Sequence, residues 1–191
     1  GEGDESQLPV IGTAPEPTGI VQWINTEREQ PLTLAQLRGK VVLIDFWTYS
    51  CINCLRTLPY INGWHETYED DGLVIIGVHA PEFEFEKDEQ NVRKAVGDLG
   101  IEYPVALDND FRTWGAYFNR YWPAKYLIDA EGRLRYTHFG EGDYAETEDH
   151  IRDLLADAGT LGDDGTVSER VDAEEDNLAS TPETYLGHER A

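Results

Sequence analysis

Between residues 21 and 159, short apolar runs alternate with amphipathic stretches, and this order restricts the chain to an α/β fold. The runs at 41–47 (VVLIDFW) and 73–78 (LVIIGV) are typical of strands covered on both faces. After Cys51, apolar residues recur three and four positions apart up to Tyr68, which predicts an amphipathic helix. Further strands are predicted at 125–128 and 133–138, and further helices at 92–99, 111–118 and 151–158. This order predicts a mixed central β-sheet flanked by helices on both faces.

The regions on either side of this alternation differ from it in composition. Residues 1–20 contain three prolines among glycine and acidic residues, and we expect them to be a linker or arm. Residues 21–159 form the predicted domain. Residues 160–191 are acidic, offer few core side chains and are predicted to be a tail. Because the sequence starts at Gly1 and contains no Met, we expect it to be a fragment of a longer chain.

The charge of the chain limits its partners. There are 15 Lys and Arg against 38 Asp and Glu, which gives a formal net charge of −23. Such a surface repels phosphate backbones and anionic lipids, so we expect no binding to nucleic acid. No apolar run approaches the roughly 18–20 residues that cross a bilayer.

Cys51 and Cys54 carry the chemical signal. They are the only 2 cysteines, they are separated by two residues, and they follow a buried strand at the start of a helix. Backbone N–H groups and the helix dipole stabilise negative charge there, so Cys51 is predicted to have a lowered pKa and to react as a thiolate. Cys54 is placed to attack a mixed disulfide on Cys51 and release the partner. The pair therefore predicts thiol–disulfide exchange.

Two other uses of the cysteine pair stay open. A zinc site needs further ligands, and the sequence has no second cysteine pair and no close histidine pair; His65 and His79 are the nearest histidines. We therefore expect neither a metal nor another cofactor. The second alternative is a purely structural disulfide, although so short a loop restrains little of the unfolded chain.

The string WTYSCINCLRTLP, preceded by LAQLRGKVVLID, resembles the thioredoxin-fold TlpA-like group, and most closely the soluble domain of DipZ-type proteins. The resemblance covers residues 20–159 and continues weakly to Gly187. It implies a thioredoxin-like fold with a TlpA-like N-terminal extension and a helical insert. In DipZ-type proteins a stretch similar to the tail leads to a further module, so residues 160–191 are expected to be a tail or a linker to a missing C-terminal module.

The resemblance also implies roles for individual residues. Asp45 stands where the family keeps a buried carboxylate behind the resolving cysteine; its pKa should be raised, and it should take a proton from Cys54. Pro123 matches the cis-proline loop that lies opposite the cysteines and holds the backbone open for a substrate peptide. Trp47 and Trp122 would form apolar walls of the site. The predicted catalytic residues are Cys51, Cys54 and Asp45, and the predicted substrate-binding residues are Trp47, Trp122 and Pro123.

The sequence departs from the family pattern in two places. Thr57 stands where some TlpA-like relatives carry a glutamate, so that proton relay is absent. The basic partner that thioredoxins place near the buried aspartate is not evident in residues 73–81 (LVIIGVHAP). His79 and Glu82 follow that strand and could approach the site, but we expect core or surface positions for both.

Three functions are compatible with these features. The first is an enzyme that exchanges disulfides with disulfide-containing or dithiol proteins through Cys51 and Cys54. The second is a peroxiredoxin-like peroxidase, which needs a proline where Ile44 stands, although Thr48 satisfies its requirement for a hydroxyl. The third is a non-catalytic docking module with a structural disulfide.

The residues between the two cysteines, Ile52 and Asn53, do not reveal the direction of electron flow. The resemblance implies a monomeric reductant that receives electrons from a membrane electron-transfer protein. It also implies an extracytoplasmic location and a role in cytochrome c biogenesis.

Overall fold

The computed structural model describes residues 7–162, which form a seven-stranded sheet with helices on both faces. The strands are β1 (Gly12–Thr13), β2 (Gln22–Ile24), β3 (Val41–Trp47), β4 (Leu73–His79), β5 (Val105–Leu107), β6 (Ala124–Ile128) and β7 (Arg133–Phe139). The helices are α1 (Ile52–Tyr68), α2 (Glu89–Asp98), α3 (Arg112–Ala116) and α4 (Tyr144–Asp157), and short 3-10 helices occupy Glu27–Glu29, Glu69–Asp71 and Glu84–Lys87.

The sheet has the strand order β1-β7-β6-β3-β4-β5-β2. β3 is parallel to β4, and β4 is parallel to β5, whereas β6 is antiparallel to β3 and to β7. The predicted mixed sheet is confirmed, and the helix predicted at 92–99 corresponds to α2, which lies between β4 and β5 in the chain. Because β3 is the central strand, the loop that follows it leads from the middle of the sheet directly into α1.

Side chains of β3 alternate between two apolar layers, which explains why its sequence is almost wholly apolar. Leu43 and Trp47 pack in the layer that contains α1, α2 and α4, while Ile44 and Phe46 pack in the layer on the opposite face. Burial of one such side chain contributes about 1.5–3 kcal/mol to the free energy of folding. The same alternation places Asp45 on the face that carries α1, beneath the cysteine pair.

Part of the predicted arm belongs to the sheet. β1 pairs with β7, and the buried Arg135 guanidinium donates hydrogen bonds to the carbonyl oxygens of Leu8 at 2.6 Å and Pro9 at 3.1 Å. These residues therefore lie along the edge of the domain, in contrast to a loose arm. The sequence did not predict β1, β2 or β5, because strands of two or three residues are too short to show an alternating pattern.

The predicted acidic tail falls mostly outside the part of the chain that the structure describes, since residues 163–191 are not included. Within residues 7–162, no helix is both long enough and apolar enough to pass through a membrane.

Candidate active site

Cys51 lies at the junction between the β3 loop and α1, as the sequence predicts. It is the N-cap residue of α1, and its Sγ accepts a hydrogen bond from the backbone N–H of Cys54 at 3.2 Å. The backbone N–H of Cys51 donates to the Thr48 carbonyl at 3.2 Å, which fixes the loop before the helix. Both cysteines carry free thiols. The helix start thus holds the Cys51 sulfur against the Cys54 backbone N–H, where negative charge is stabilised.

The two cysteines differ in position. Both cysteines are buried, with 4% of Cys51 and 1% of Cys54 exposed. Because Cys51 is the N-cap residue and Cys54 lies within the first turn of α1, Cys51 is the outer of the two. Burial raises the pKa of the Cys54 thiol well above its ordinary value, and its contact with Cys51 raises the pKa further; a hydrogen bond from the Thr48 backbone acts in the opposite direction. Cys54 is therefore a thiol at neutral pH and needs a base before it can attack.

Asp45 is the candidate base for Cys54. Its side chain is fully buried, and neither carboxylate oxygen has a hydrogen-bond partner among the described residues. Burial raises its pKa from 3.8 to about 7, against the lowering effect of the Lys125 ammonium. Asp45 and Cys54 interact electrostatically, since the Asp45 charge raises the pKa of Cys54. A carboxyl group that titrates near neutral pH suits the exchange of a proton with a thiol.

Lys125 is a site residue that the sequence analysis missed. It lies directly opposite Asp45 in the β3–β6 pairing and is 1% exposed. Burial lowers its pKa, while the charges of Asp45 and Cys54 raise it. β4, in whose sequence no basic partner is evident, places Gly77 opposite Asp45. A Cβ at Gly77 would lie 3.0 Å from the indole nitrogen of Trp47, so β4 has no room for a side chain there.

One feature of the sequence does point to Lys125: it is the single charged residue in the otherwise apolar run AKYLI of β6. A lysine in a central strand is rarely fully buried without a partner. The pairing partner, however, is 80 residues away in the chain, and the strand register that joins the two is a property of the folded sheet.

Trp122 and Pro123 occupy the loop before β6. The Trp122–Pro123 peptide bond is cis, as the resemblance implied. The Trp122 indole N–H donates to the Ala80 carbonyl at 2.9 Å, and its ring packs beside the apolar layer that contains the cysteines. Trp122 is partly exposed and remains available as a wall of a substrate site. Trp47 is not available as a wall of a substrate site, because it is completely buried. Its ring stands edge-on to the His79 ring, with centroids 4.9 Å apart, so Trp47 is a core residue behind the site.

His79 supports the loop that leads to Cys51. It is fully buried, and its Nε2 accepts a hydrogen bond from the Tyr49 backbone N–H at 3.3 Å and lies 3.3 Å from the Thr48 hydroxyl. Burial lowers its pKa to about 4. The ring is therefore neutral at pH 7 and acts as a hydrogen-bond acceptor, which requires its proton to lie on Nδ1.

Glu86 is a second residue that the sequence analysis missed. Its carboxylate is fully buried and accepts hydrogen bonds from three backbone N–H groups: Ser50 at 3.1 Å, Glu82 at 2.8 Å and Phe83 at 2.9 Å. Ser50 directly precedes Cys51, so Glu86 joins the segment before α2 to the nucleophile loop. Glu82 takes part in this arrangement through its backbone. In the sequence, Glu86 is one of several acidic residues in the run EFEFEKD at 82–88, where it cannot be distinguished from a solvated glutamate.

Thr57 lies below Cys54, and its hydroxyl donates to the Cys54 carbonyl at 2.8 Å, so it is bound to the helix backbone. Within residues 7–162, no three His, Cys, Asp or Glu side chains are grouped so that they could hold a metal ion.

The fold and this geometry agree with comparisons to known proteins. Residues 14–137 match the AhpC/TSA family. The chain belongs to this family. It is 33% identical over 144 residues to the thiol-disulfide oxidoreductase YkuV of Bacillus subtilis, an alignment that covers 75% of this chain and 94% of YkuV. It is 32% identical to a thioredoxin-like protein solved in solution in its oxidized form, with a TM-score of 0.68 over 76% of this chain and 96% of that one.

A further relative is Protein DipZ of Mycobacterium tuberculosis, which is 53% identical over 184 residues; the match covers 95% of this chain. The chain spans only 26% of DipZ. These relatives confirm the predicted thioredoxin-like fold and the likeness to DipZ, and YkuV is named as a thiol–disulfide oxidoreductase. The peroxidase alternative is less supported, since the relative YkuV is named for thiol–disulfide exchange and Ile44 replaces the proline that peroxide chemistry requires.

Proposed function

We propose that this chain is a thiol–disulfide oxidoreductase domain that reduces disulfides in partner proteins through Cys51 and Cys54. The observation that carries the proposal is the arrangement of two thiols at the start of α1: the outer sulfur is held by the Cys54 backbone N–H at 3.2 Å, and the inner one lies above a buried carboxyl group. A structural disulfide requires neither a buried titratable group nor a neighbouring buried lysine.

In the first step, the Cys51 thiolate attacks one sulfur of the substrate disulfide. The substrate S–S bond breaks, a mixed disulfide forms between Cys51 and the substrate, and the first substrate sulfur leaves as a thiolate that takes a proton from solvent. The helix start favours this step because it stabilises the anionic form of Cys51.

In the second step, Cys54 releases the product. Asp45 in its carboxylate form accepts the proton of the Cys54 thiol, and the Cys54 sulfur attacks Cys51 Sγ. The mixed disulfide breaks, and the second substrate sulfur leaves as a thiolate. The substrate has gained two electrons and is reduced to two thiols, whereas Cys51 and Cys54 are oxidised to a disulfide. Lys125 favours the charged form of Asp45 and so keeps the base available at neutral pH.

A dithiol protein must then reduce the Cys51–Cys54 disulfide by the same exchange in reverse. From the resemblance to TlpA-like and DipZ-type proteins, we assign this donor role to a membrane electron-transfer protein and propose that the domain acts outside the cytoplasm as a monomer. Disulfide substrates are formed in such oxidising compartments. Cytochrome c biogenesis is the process in which we place this reductase. Trp122 and Pro123 are assigned to the groove that receives the substrate peptide.

The test uses Cys51→Ser, Cys54→Ser and the unaltered chain in a single-turnover reduction of 2-hydroxyethyl disulfide. We expect full reduction by the unaltered chain and no reaction with Cys51→Ser. Cys54→Ser should stop at a mixed disulfide, visible as a mass increase of one substrate half. Unchanged reduction by Cys51→Ser would refute the proposal, as would a Cys54→Ser variant that traps no mixed disulfide.

A further inference from the structure

The segment between β4 and α2 carries two exposed aromatic rings near the cysteine pair. Phe83 is 43% exposed and Phe85 is 55% exposed. Their rings are parallel, with centroids 5.7 Å apart and an interplanar angle of 4°. Both lie outside the two apolar layers that cover the sheet. Paired rings at the surface, which contribute little to the core, are typical of an interaction site. We call Phe83 and Phe85 the paired-phenylalanine surface.

This surface is fixed next to the nucleophile loop. The Glu86 carboxylate connects it to the backbone of Ser50, the residue before Cys51. On its other side, the Tyr49 ring lies 6.1 Å from the Phe85 ring, measured between centroids. A partner that contacts the rings is therefore brought close to the sulfur that attacks its disulfide.

The backbone of the segment is held rigidly. The Asn91 amide donates to the Phe85 carbonyl at 3.1 Å, and the Asn109 amide donates to the Lys87 carbonyl at 3.1 Å. The Asp88 side chain caps α2 by accepting hydrogen bonds from the backbone of that helix. Since the surface is already ordered, binding loses little conformational entropy there.

The charges around the rings define the chemistry of the partner. Glu82, Glu84 and Asp88 flank the two phenylalanines, and Lys87 is paired with Glu84 at 2.9 Å. The chain as a whole has a net charge of −23. Lysine or arginine side chains of a partner can stack on the phenylalanine rings and pair with the carboxylates, while apolar side chains fill the remaining contact area.

The same charges disfavour other occupants. An anionic membrane is repelled by a chain of net charge −23, and so is a second copy of the chain. The sequence of residues 163–191 is itself acidic, so its negative charge would also be repelled by this surface.

We propose that the paired-phenylalanine surface binds a basic, apolar segment adjacent to the disulfide of the partner protein. This inference rests on the proposed function, because it names the class of substrate that Cys51 attacks.

The test compares three synthetic peptides, each with one intramolecular disulfide. The residues that flank the cysteines are Lys and Phe in the first, Glu and Phe in the second, and Ser and Gly in the third. The small compound 2-hydroxyethyl disulfide serves as a substrate without flanking residues. The full chain is used in three forms: unaltered, Phe83→Ser with Phe85→Ser, and Val10→Ser with Ile11→Ser. The last form is a matched control, because Val10 and Ile11 are 52% and 54% exposed at the β1 edge of the sheet.

We expect the unaltered chain to reduce the Lys-Phe peptide with a kcat/KM about tenfold above that for the Ser-Gly peptide, a factor that corresponds to about 1.4 kcal/mol. The paired-phenylalanine variant should lose this preference through a higher KM. It should reduce 2-hydroxyethyl disulfide at the unaltered rate, and the control variant should behave like the unaltered chain. Added salt should reduce the preference.

Equal kcat/KM for the three peptides would overturn the inference, and so would a preference for the Glu-Phe peptide. An equal loss on 2-hydroxyethyl disulfide in the paired-phenylalanine variant would also overturn it, because the rings would then act on Cys51 itself. If the unaltered chain fails to reduce 2-hydroxyethyl disulfide, the proposed function fails instead. Self-association, or binding to phosphatidylcholine vesicles, that disappears in the variant would assign the surface to a second copy or a membrane and would overturn the inference.

Discussion

Cys51 and Cys54 are three residues apart, yet they lie in different surroundings. The region around Cys51 is a loop whose backbone groups are bound by neutral and anionic acceptors, the buried His79 and Glu86. The region beneath Cys54 contains two buried ionisable groups, Asp45 and Lys125, which have no hydrogen-bond partner among the described residues. Directional hydrogen bonds therefore position the attacking sulfur, whereas burial and charge control the resolving one. We expect mutations of Asp45 and Lys125 to change the pH dependence of the second step, and mutations of Glu86 to act through the geometry of the loop. His79 belongs to the first region but also titrates, so its mutation should change the pH dependence of stability.

The largest effect is expected for Asp45→Asn. Folding raises the pKa of Asp45 from 3.8 to about 7, so the folded chain binds more protons than the unfolded chain between these pH values. Its contribution to stability therefore falls as the pH rises through this window, by about 4 kcal/mol. Asparagine does not titrate, so the variant should be more stable than the unaltered chain at pH 8 and nearly equal to it at pH 4. Loss of the base should also slow the second step about 100-fold.

Urea unfolding at a series of pH values and single-turnover kinetics measure these two effects. Asp98→Asn is the matched control, since Asp98 is an exposed carboxylate at the end of α2, and it should change neither. An Asp45→Asn variant that is no more stable than the unaltered chain at pH 8 would contradict the assigned buried charge.

His79→Gln should change stability in the opposite pH sense. Burial lowers the pKa of His79 from 6.5 to about 4, so the unfolded chain binds more protons between these values. Its contribution to stability is complete above pH 6.5 and is lost, by about 3 kcal/mol, as the pH falls toward 4. In the unaltered chain, the slopes from His79 and Asp45 offset each other over this range.

Urea unfolding of His79→Gln should therefore reveal the Asp45 slope alone, with stability that decreases steadily from pH 4 to pH 7. The double variant with Asp45→Asn should lose both slopes. A single variant with the same pH slope as the unaltered chain would show that His79 is not a buried neutral side chain.

Glu86 offers a test of the hydrogen-bonded region. Glu86→Ala leaves the N–H groups of Ser50, Glu82 and Phe83 without their acceptor, which should cost about 2–3 kcal/mol of stability. Glu86→Gln keeps one carbonyl oxygen and should lose about half as much. The rate at which iodoacetamide alkylates Cys51 should change in both variants, because the hydrogen bond from the Ser50 N–H to the Glu86 carboxylate is lost or weakened.

The exposed Glu84 lies on the same short helix, so Glu84→Ala serves as the control for loss of charge on that segment. Alkylation rates that respond equally to Glu84→Ala and Glu86→Ala would indicate an effect of charge rather than of hydrogen bonding.

The smallest effect is expected for Lys125→Met. The Lys125 ammonium lowers the pKa of Asp45, so its removal should raise that pKa above about 7. The pH midpoint of the second step should move upward by about one unit, which corresponds to about 1.4 kcal/mol. Lys94→Met, at an exposed lysine of α2, should leave the midpoint unchanged. An unchanged pH midpoint of the second step in Lys125→Met would show that Lys125 does not influence the base for Cys54.

The parts of the site that are local in sequence could be predicted. Cys51, Cys54 and Asp45 lie within ten residues of one another, and the order of strand and helix fixes which face each occupies. Lys125 could not be predicted, because it meets Asp45 only through the register of two strands that are far apart in the chain. Trp47 was predicted to be a wall of the site, but it is completely buried beside the His79 ring, which the spacing of residues does not reveal.

The fold shows the same distinction. Strands β3 and β4, with seven residues each, carry enough apolar side chains to be recognised. β1 has two residues and is held by its pairing with β7 and by Arg135, neither of which is visible in the sequence of residues 1–20.

The pH dependence of the second step tests the account most directly. Single-turnover reduction of 2-hydroxyethyl disulfide, followed from pH 5 to pH 9, separates formation of the mixed disulfide from its resolution. We predict that resolution accelerates with a midpoint near pH 7 in the unaltered chain, and that this midpoint disappears in Asp45→Asn. Resolution that is independent of pH, or that keeps its midpoint near 7 in Asp45→Asn, would contradict the assignment of Asp45 as the base for Cys54.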